Sequence, residues 1–298
     1  MKSSTCAQAL AAARHRGLDR LDAQLLLLHA LGKPASDRSW LLAHDTDPLA
    51  QEAIEAFAAF SLRRAAGEPL AYIVGNKEFF GLSLQVDARV LVPRPDTETL
   101  VEWSLEVLKM PELPPVPRVM DLGTGSGAIA LAIAHSLMAA GREAKVTAVD
   151  ASAEALSVAR ENSRRLGLRV EFMESHWLAQ VSGRFNLIAS NPPYIASADP
   201  HLAALGHEPL QALAAGVDGL DDIRQIIEQA PACLLNGGWL LLEHGYDQAE
   251  RVRGLLARQG FAQVQSRLDL AGIERCSGGQ WTQRPAIPAT HAASSRQR

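Results

Sequence analysis

Apolar residues follow three different rhythms along this 298-residue chain. Up to about residue 68 they recur at helical spacing. Leu21, Leu25, Leu28 and Leu31 share one helix face, and Gly32 and Pro34 stop that helix. Asp47 is expected to cap the next one, with Pro48 in its first turn and Ile54, Phe57 and Leu62 on its buried side; Glu68-Pro69 ends it. Between 71 and 92 the pattern turns β-prone. Tyr72-Ile73-Val74, Phe79-Phe80 and Leu82 to Val86, punctuated by Gly75 and Gly81, predict a hairpin joining two domains. Asp96 or Thr97 then caps a helix carrying Val101, Leu105 and Leu108, and Pro111, Pro114, Pro115 and Pro117 make a short stiff linker.

From Arg118 onward the two periods alternate. Strands are predicted at 118–122, 145–149, 169–173, 185–190, 238–243 and 261–266, with helices at 126–139, 153–166, 221–235 and 248–259. Ser152 is a cap candidate, Gly167 and Gly260 stand where helices end, Pro231 should kink its helix, and a late strand near Trp281 is expected antiparallel at an edge. Such alternation predicts an α/β fold, a doubly wound, mostly parallel, Rossmann-like sheet. The organisation that follows is a small N-terminal helical bundle over 1–70, either plain scaffold or, because it is attached to a separate catalytic pattern, a substrate-docking unit, then a β-hairpin linker over 71–92, the α/β domain over 93–283, and a disordered tail over 284–298.

Composition narrows this picture. Apolar residues make up 47% and charged residues 21%, enough to bury a sizeable core. Twenty-nine basic against 33 acidic side chains leave a net charge of −4, which argues against a general phosphate-backbone binder. Cys6, Cys233 and Cys276 form neither a CxxC nor a metal spacing, and an odd count suits a reducing compartment. No apolar run reaches the length of a membrane span. The first acidic residue is Asp19, after Lys2, Arg14 and Arg16, and this basic segment reads as the first helix of a cytoplasmic domain rather than a transit peptide. A cytoplasmic monomer, with no membrane and no metal, is the expectation; His201 and His207 lack any accompanying ligand cluster.

Three sites carry chemistry. Asp121-Leu122-Gly123-Thr124-Gly125-Ser126-Gly127 follows the first strand and opens a helix, and its glycines let the backbone turn tightly and a ligand approach closely. Asp150 ends the second strand, where a carboxylate can accept both hydroxyls of a ribose or cap the next helix. Together they indicate an adenosine-containing cofactor at the switch point of the sheet, a nicotinamide dinucleotide included. Asn191-Pro192-Pro193-Tyr194 follows the fourth strand. Two prolines stiffen it into a platform whose Asn191 side-chain oxygen and Pro192 carbonyl can face one point, with the flat, polar-tipped Tyr194 beside them. Two acceptors suit a planar –NH2 group, and a nicotinamide enzyme leaves this motif without a task. The aperiodic stretch 195–220 reads as a lid carrying Glu208-Pro209.

Asp121–Gly127, Asp150 and Asn191–Tyr194 resemble motifs of class I S-adenosylmethionine-dependent amino-methyltransferases. With Val92–Glu98, Glu208-Pro209, Asp218-Gly219-Leu220-Asp221, Gly237-Gly238 and Asp269–Gly272, the chain up to about residue 282 resembles the peptide chain release factor glutamine N5-methyltransferase family. His207 and His244 depart from the family's usual residues. The resemblance implies methylation of the glutamine amide in the Gly-Gly-Gln motif of release factors, in support of translation termination. S-adenosyl-L-methionine would be held by Gly123, Thr124, Gly125, Ser126, Gly127, Asp150, Asn191 and Trp177, the last beside the adenine. Asn191, Pro192, Pro193 and Tyr194 would bind the target, with Asn191, Pro192 and Tyr194 catalytic. The rivals are a glutamine methyltransferase of a ribosomal protein, a nucleic-acid amino-methyltransferase, for which no basic recognition domain is present, and a non-catalytic adaptor, which would not need the platform intact.

Overall fold

A computed structural model describes residues 4–282. Five helices come first: α1 Cys6–His15, α2 Arg20–Ala30, α3 Arg38–Ala43, α4 Gln51–Ala65 and α5 Leu70–Val74. Thr5 and Gln8 form a reciprocal capping box on α1, and Asp19 caps α2. Their core holds Ala13, Leu26, Leu27, Leu28, Leu41 and Phe57.

The buried stripe of α2 differs from the predicted one. Ala23, Leu26, Leu27 and Leu28 are buried, whereas Leu21 is 44% exposed. This helix packs against four others, so its apolar arc is wider than one stripe and shifted around the axis. Asp47 and Pro48 start no helix, because they pair with the N-terminal segment: Asp47 O accepts from Cys6 N–H, and Pro48 bridges Thr5. Helix α4 begins at Gln51 without a side-chain cap, buries Ala53, Phe57 and Ser61, and leaves Leu62 exposed. Tyr72-Ile73-Val74, expected in the hairpin, is helical. Pro69 starts that turn and Gly75 ends it, and packing of Tyr72, whose hydroxyl donates to Val90 O, overrides β propensity.

Strands β1 Asn76–Phe79 and β2 Leu82–Gln85 form the antiparallel hairpin. Phe79, Leu82 and Leu84 pack into the same cluster as Leu131 and Trp239 under the large sheet. A 3-10 turn at Pro95–Thr97 runs into α6 Glu98–Leu108. Thr97 already has helical backbone and caps nothing, and Asp96 makes no cap bond either, so the Thr97 hydroxyl is left for another partner.

The remaining elements are β3 Arg118–Leu122, α7 Ala128–Ala139, β4 Lys145–Asp150, α8 Ala153–Leu166, β5 Glu171–Glu174, β6 Phe185–Ser190, α9 Asp221–Cys233, β7 Leu234–Glu243, α10 Ala249–Gln259, β8 Ala262–Leu268 and β9 Glu274–Gln280. Ser152 caps α8, and α8 and α10 end at left-handed Gly167 and Gly260. Pro231 lies inside α9, whose helix continues to Cys233. The seven-stranded sheet has the order β5-β4-β3-β6-β7-β9-β8, parallel from β5 to β7. Both faces are buried: Val119, Ala148, Leu187 and Leu241 point to one core, and Met120, Val149, Ile188 and Leu240 to the other. The late antiparallel strand sits inside the sheet rather than at its edge. An Asp269-based turn sends β9 back beside β7 and leaves β8 outermost. The expected tail over 284–298 lies outside the described residues.

Candidate functional site

The carboxyl ends of the central strands lie level. Leu122 stands opposite Val149 and Ser190, Asp150 opposite Glu174, and Ser190 opposite Leu242. All three motif-bearing loops therefore leave the sheet at one edge, and β3 and β6 flank the point where strand order reverses, the usual place for a ligand in an open α/β sheet. A cavity of about 510 Å³ opens there. Gly123, Gly125, Asp150, Trp177, Asn191 and Pro193 are all in its wall.

Asp150 performs both readings considered for it. Its Oδ2 accepts from Gly125 N–H at 2.9 Å and its Oδ1 from Ser152 N–H at 2.9 Å, yet the carboxylate still faces the cavity. Burial raises its pKa above the ordinary carboxylate value, and the backbone donors oppose that rise. Gly125 has φ +53° and open space where a Cβ would stand, so the loop presents bare backbone to the cavity.

Thr124, Ser126 and Gly127 are absent from the wall and shape the loop from behind. Thr124 Oγ1 donates to Asp121 Oδ2 at 2.6 Å. Ser126 is buried, and its carbonyl accepts from Asn162 Nδ2, which also donates to Gln85 O while Asn162 Oδ1 accepts from Gln85 N–H. Asn162 thus ties the hairpin, α8 and the glycine loop together. Sequence reading missed it, although a polar residue on the buried stripe of α8 was a usable signal.

Asp121 is fully buried beneath this loop, and burial pushes its carboxyl up to about 7. Thr124 and Ala130 N–H both donate to Oδ2, leaving Oδ1 without a partner among the described residues. A carboxyl raised on folding favours the protonated form, so its contribution to stability is complete below about pH 4 and is lost as pH rises through about 7. Asparagine keeps one acceptor oxygen and carries no charge. Asp121→Asn should therefore be more stable than the wild type at pH 8 by about 1–2 kcal/mol, with the advantage shrinking toward pH 5. Urea unfolding at the two pH values measures this; a loss of stability at pH 8 would show that the loop needs the ionised carboxylate.

Trp177 has φ +49°, a left-handed conformation unusual for a large residue, and its ring lies so close to Gly123 that a Cβ there would stand 3.2 Å from it. Its indole N–H donates to Asp222 Oδ1 at 2.9 Å. Asp222, also in the cavity wall, was not anticipated. Its only mark in the sequence is the acidic pair opening α9, which reads as ordinary helix-dipole complementation.

In the Asn191 platform, Asn191, itself in the cavity wall, donates through Nδ2 to Thr97 Oγ1 at 3.1 Å, and its Oδ1 is not engaged by any hydrogen bond among the described residues. Pro192 is buried, and neither it nor Tyr194 is in the wall. The polar tip of Tyr194 turns away from the expected target: its hydroxyl donates to Glu243 Oε1 at 3.3 Å, and burial raises its pKa. The Tyr194 carbonyl accepts from Gln248 Nε2 at 2.9 Å, and Gly219 packs so tightly on it that a Cβ would stand 2.2 Å from that oxygen.

The 195–220 stretch is ordered over the cavity, with a bridge from Ile195 to Ala214 and 3-10 turns at Pro200–Leu205 and Leu210–Ala212. Pro209, Gln211, Ala212 and Ala214 close one side of the wall. Buried Glu208 fastens it, accepting from Val92 N–H at 3.1 Å and pairing with Arg94. Two motifs 114 residues apart are thereby joined. His207 reaches Ala66 O, His201 pairs with Asp199 in solvent, and fully buried His244 bonds Gly245 O and Ser277. Among the described residues no group of His, Cys, Asp and Glu could hold a metal ion.

Residues 4–75 match the family described as PrmC N-terminal domain, and residues 104–212 match Methyltransferase small domain. The chain is similar to a protein of Bordetella pertussis named release factor glutamine methyltransferase, 49% identical over 267 residues that cover 88% of this chain and 95% of the relative. A Pseudomonas aeruginosa protein of the same name is 50% identical over 266 residues, covering 88% and 92%. Among solved structures, the hMettl16 catalytic domain has a TM-score of 0.54 at 16% identity, covering 80% of this chain and 84% of that one. The T. thermophilus 16S rRNA N2 G1207 methyltransferase has 0.51 at 19%, covering 70% and 50%. These structural likenesses concern the fold.

Proposed function

The chain belongs to the release factor glutamine methyltransferase family and is a methyltransferase acting on a release-factor glutamine, and on that premise we propose how its residues do so. The cavity takes S-adenosyl-L-methionine. Its volume of about 510 Å³ suits a cofactor of that size, and it combines a carboxylate, bare glycine backbone and an indole in one wall. Asp150 accepts the ribose hydroxyls, the 123–127 backbone passes beneath the amino-acid portion, and Trp177, steadied by Asp222, lies beside the adenine. When bound, the cofactor supplies an electrophilic methyl group on a sulfonium sulfur.

The target is the glutamine of the Gly-Gly-Gln motif. An amide nitrogen is a poor nucleophile because its lone pair is delocalised into the carbonyl. Asn191 Oδ1 and the Pro192 carbonyl accept its two hydrogens and orient the nitrogen for in-line displacement. As positive charge develops on nitrogen those hydrogen bonds strengthen, so they stabilise the transition state more than the bound substrate. The observation that carries this reading is the Asn191–Thr97 hydrogen bond, which engages the NH2 of this cavity-wall residue while its oxygen stays without a partner among the described residues. The excess proton leaves after methyl transfer. The 195–220 segment, held by Glu208, excludes water, and the helical bundle over 1–70 docks the release factor, with the 71–92 hairpin segment and the 93–283 domain completing the enzyme.

We read the protein as a cytoplasmic monomer that does not contact nucleic acid directly. Its net charge of −4 and its three buried free cysteines support an intracellular protein without a phosphate-backbone footprint. Among the described residues no helix is long and apolar enough to cross a membrane. The test is incubation with methyl-labelled S-adenosylmethionine, a purified release factor, ribosomal proteins and RNA, followed by mass mapping. Label on the Gly-Gly-Gln glutamine is expected; label on a ribosomal protein or on RNA would replace this reading.

A further inference from the structure

Gln248 stands at the N-terminal end of α10, yet its side chain makes no cap bond to that helix. It is buried and reaches three other segments. Its Oε1 accepts from Gly245 N–H at 2.8 Å, in the turn after β7. Its Nε2 donates to the Tyr194 carbonyl at 2.9 Å and lies 3.4 Å from the Asp218 carbonyl and 3.5 Å from that of Gly219. One amide thus joins the last residue of the Asn191 platform, the far end of the 195–220 segment and the turn that follows β7. The Asp218-Gly219 motif, without a task so far, takes part in this junction. Gly219, at φ +71°, brings bare backbone so close that a Cβ would stand 2.9 Å from Gln248 Nε2 and 2.2 Å from the Tyr194 oxygen.

The prolines give the junction its weight. Pro192 and Pro193 have no N–H, and their rings fix φ, so the stretch from Asn191 to Tyr194 moves largely as one piece. Its position is set where the chain is tied at either end. At the first end Asn191 Nδ2 donates to Thr97 Oγ1 at 3.1 Å. At the second the shortest tie is the bond from Gln248 to the Tyr194 carbonyl; the Tyr194 hydroxyl reaches Glu243 at 3.3 Å. Directly beyond, Ile195 N–H donates to Leu213 O and the chain enters the segment over the cavity. Without a donor at 248 the Tyr194 peptide is free to turn, and the Pro192 carbonyl, two residues back on the same stiff piece, shifts with it. Gln248 is absent from the cavity wall, so it acts through Tyr194.

We propose that Gln248 is a positioning residue for methyl transfer, holding the Tyr194 end of the platform so that the Pro192 carbonyl meets the target amide. This rests on the reading of Asn191 and Pro192 as the acceptors for that amide. Gln248→Leu keeps much of the side-chain volume and removes both hydrogen bonds. Its kcat should fall by about 10–100-fold, the scale of a displacement of about 1 Å at the reacting centre. The KM for release factor and the Kd for S-adenosylmethionine should stay within about threefold, with calorimetric cofactor stoichiometry near one as the check on folding. Gln248→Glu keeps an acceptor for Gly245 and donates to Tyr194 only when protonated, and burial against carbonyl oxygens raises the pKa of the new carboxyl. Its kcat relative to the wild type should match Gln248→Leu at pH 8 and rise by about 3–10-fold toward pH 6. The charged neighbours are Asp218, paired with Arg224 and Arg251, and Glu243 on the Tyr194 hydroxyl; all are common to both proteins, so the ratio isolates position 248. The ratio also decides the matter if Gln248→Leu folds poorly. Normal kcat in Gln248→Leu, or a Gln248→Glu variant that gains nothing on acidification, would overturn the proposal. Asn191→Ala assayed alongside separates the two claims. If it too turns over normally, the platform reading itself fails; if it is crippled while Gln248→Leu is not, only the positioning role is lost.

Discussion

Asn191→Ala should lower the single-turnover rate of methyl transfer by about 10²–10³-fold, the usual consequence of removing one preorganised group that acts on developing charge. Cofactor affinity should fall only a little. Asn191 shares the cavity wall with Asp150 and Trp177 but stands at the platform end of it. The prolines that set the backbone remain, so the loss is chemical rather than conformational. Asn191→Asp is the sharper variant. An aspartate oxygen can still accept from the target amide, but aspartate cannot donate to Thr97 Oγ1 as Asn191 Nδ2 does at 3.1 Å. A carboxylate there would also carry a desolvation penalty in a closed pocket. It should be impaired, yet less than alanine. Wild-type single-turnover rates in both variants, with methylation still on the release-factor glutamine, would move the acceptors elsewhere, first of all to the 195–220 segment.

Asp150→Ala should weaken S-adenosylmethionine binding by about 1–3 kcal/mol, the cost of leaving ribose hydroxyls without a charged acceptor. The side chain also holds Gly125 N–H and Ser152 N–H, so part of the loss will come from a loosened glycine loop. Asp150→Asn divides the two contributions, since one amide oxygen keeps one backbone bond while the negative charge is gone. Calorimetry with the cofactor measures both. Unchanged affinity in Asp150→Ala would make the residue a helix cap alone, and comparable binding of NADH to the wild type would restore the dinucleotide alternative.

The sequence by itself determined the parts of this protein that are local. Strand and helix alternation after Arg118 follows from hydrophobic period, and Ser152, Gly167 and Gly260 mark helix ends through their own backbone and side-chain preferences. Gly123, Gly125, Asp150 and Asn191 were legible for the same reason: each sits at the carboxyl end of a strand or one to three residues beyond it, and parallel strands in register bring such positions to one edge. What no local pattern contains is which partner a given hydrogen-bonding group finds across the chain. Thr97 reads as a helix cap until Asn191, 94 residues away, takes its oxygen. Glu208 reads as a lid residue until it holds Val92 and Arg94. Asp222 reads as a helix-dipole charge until it accepts from Trp177, and Tyr72 reads as strand until packing makes it helical. Those choices belong to the tertiary structure. A buried donor or acceptor must be satisfied by whatever the fold brings within reach, and the cost of leaving it unpaired exceeds the preferences that a short stretch of sequence expresses.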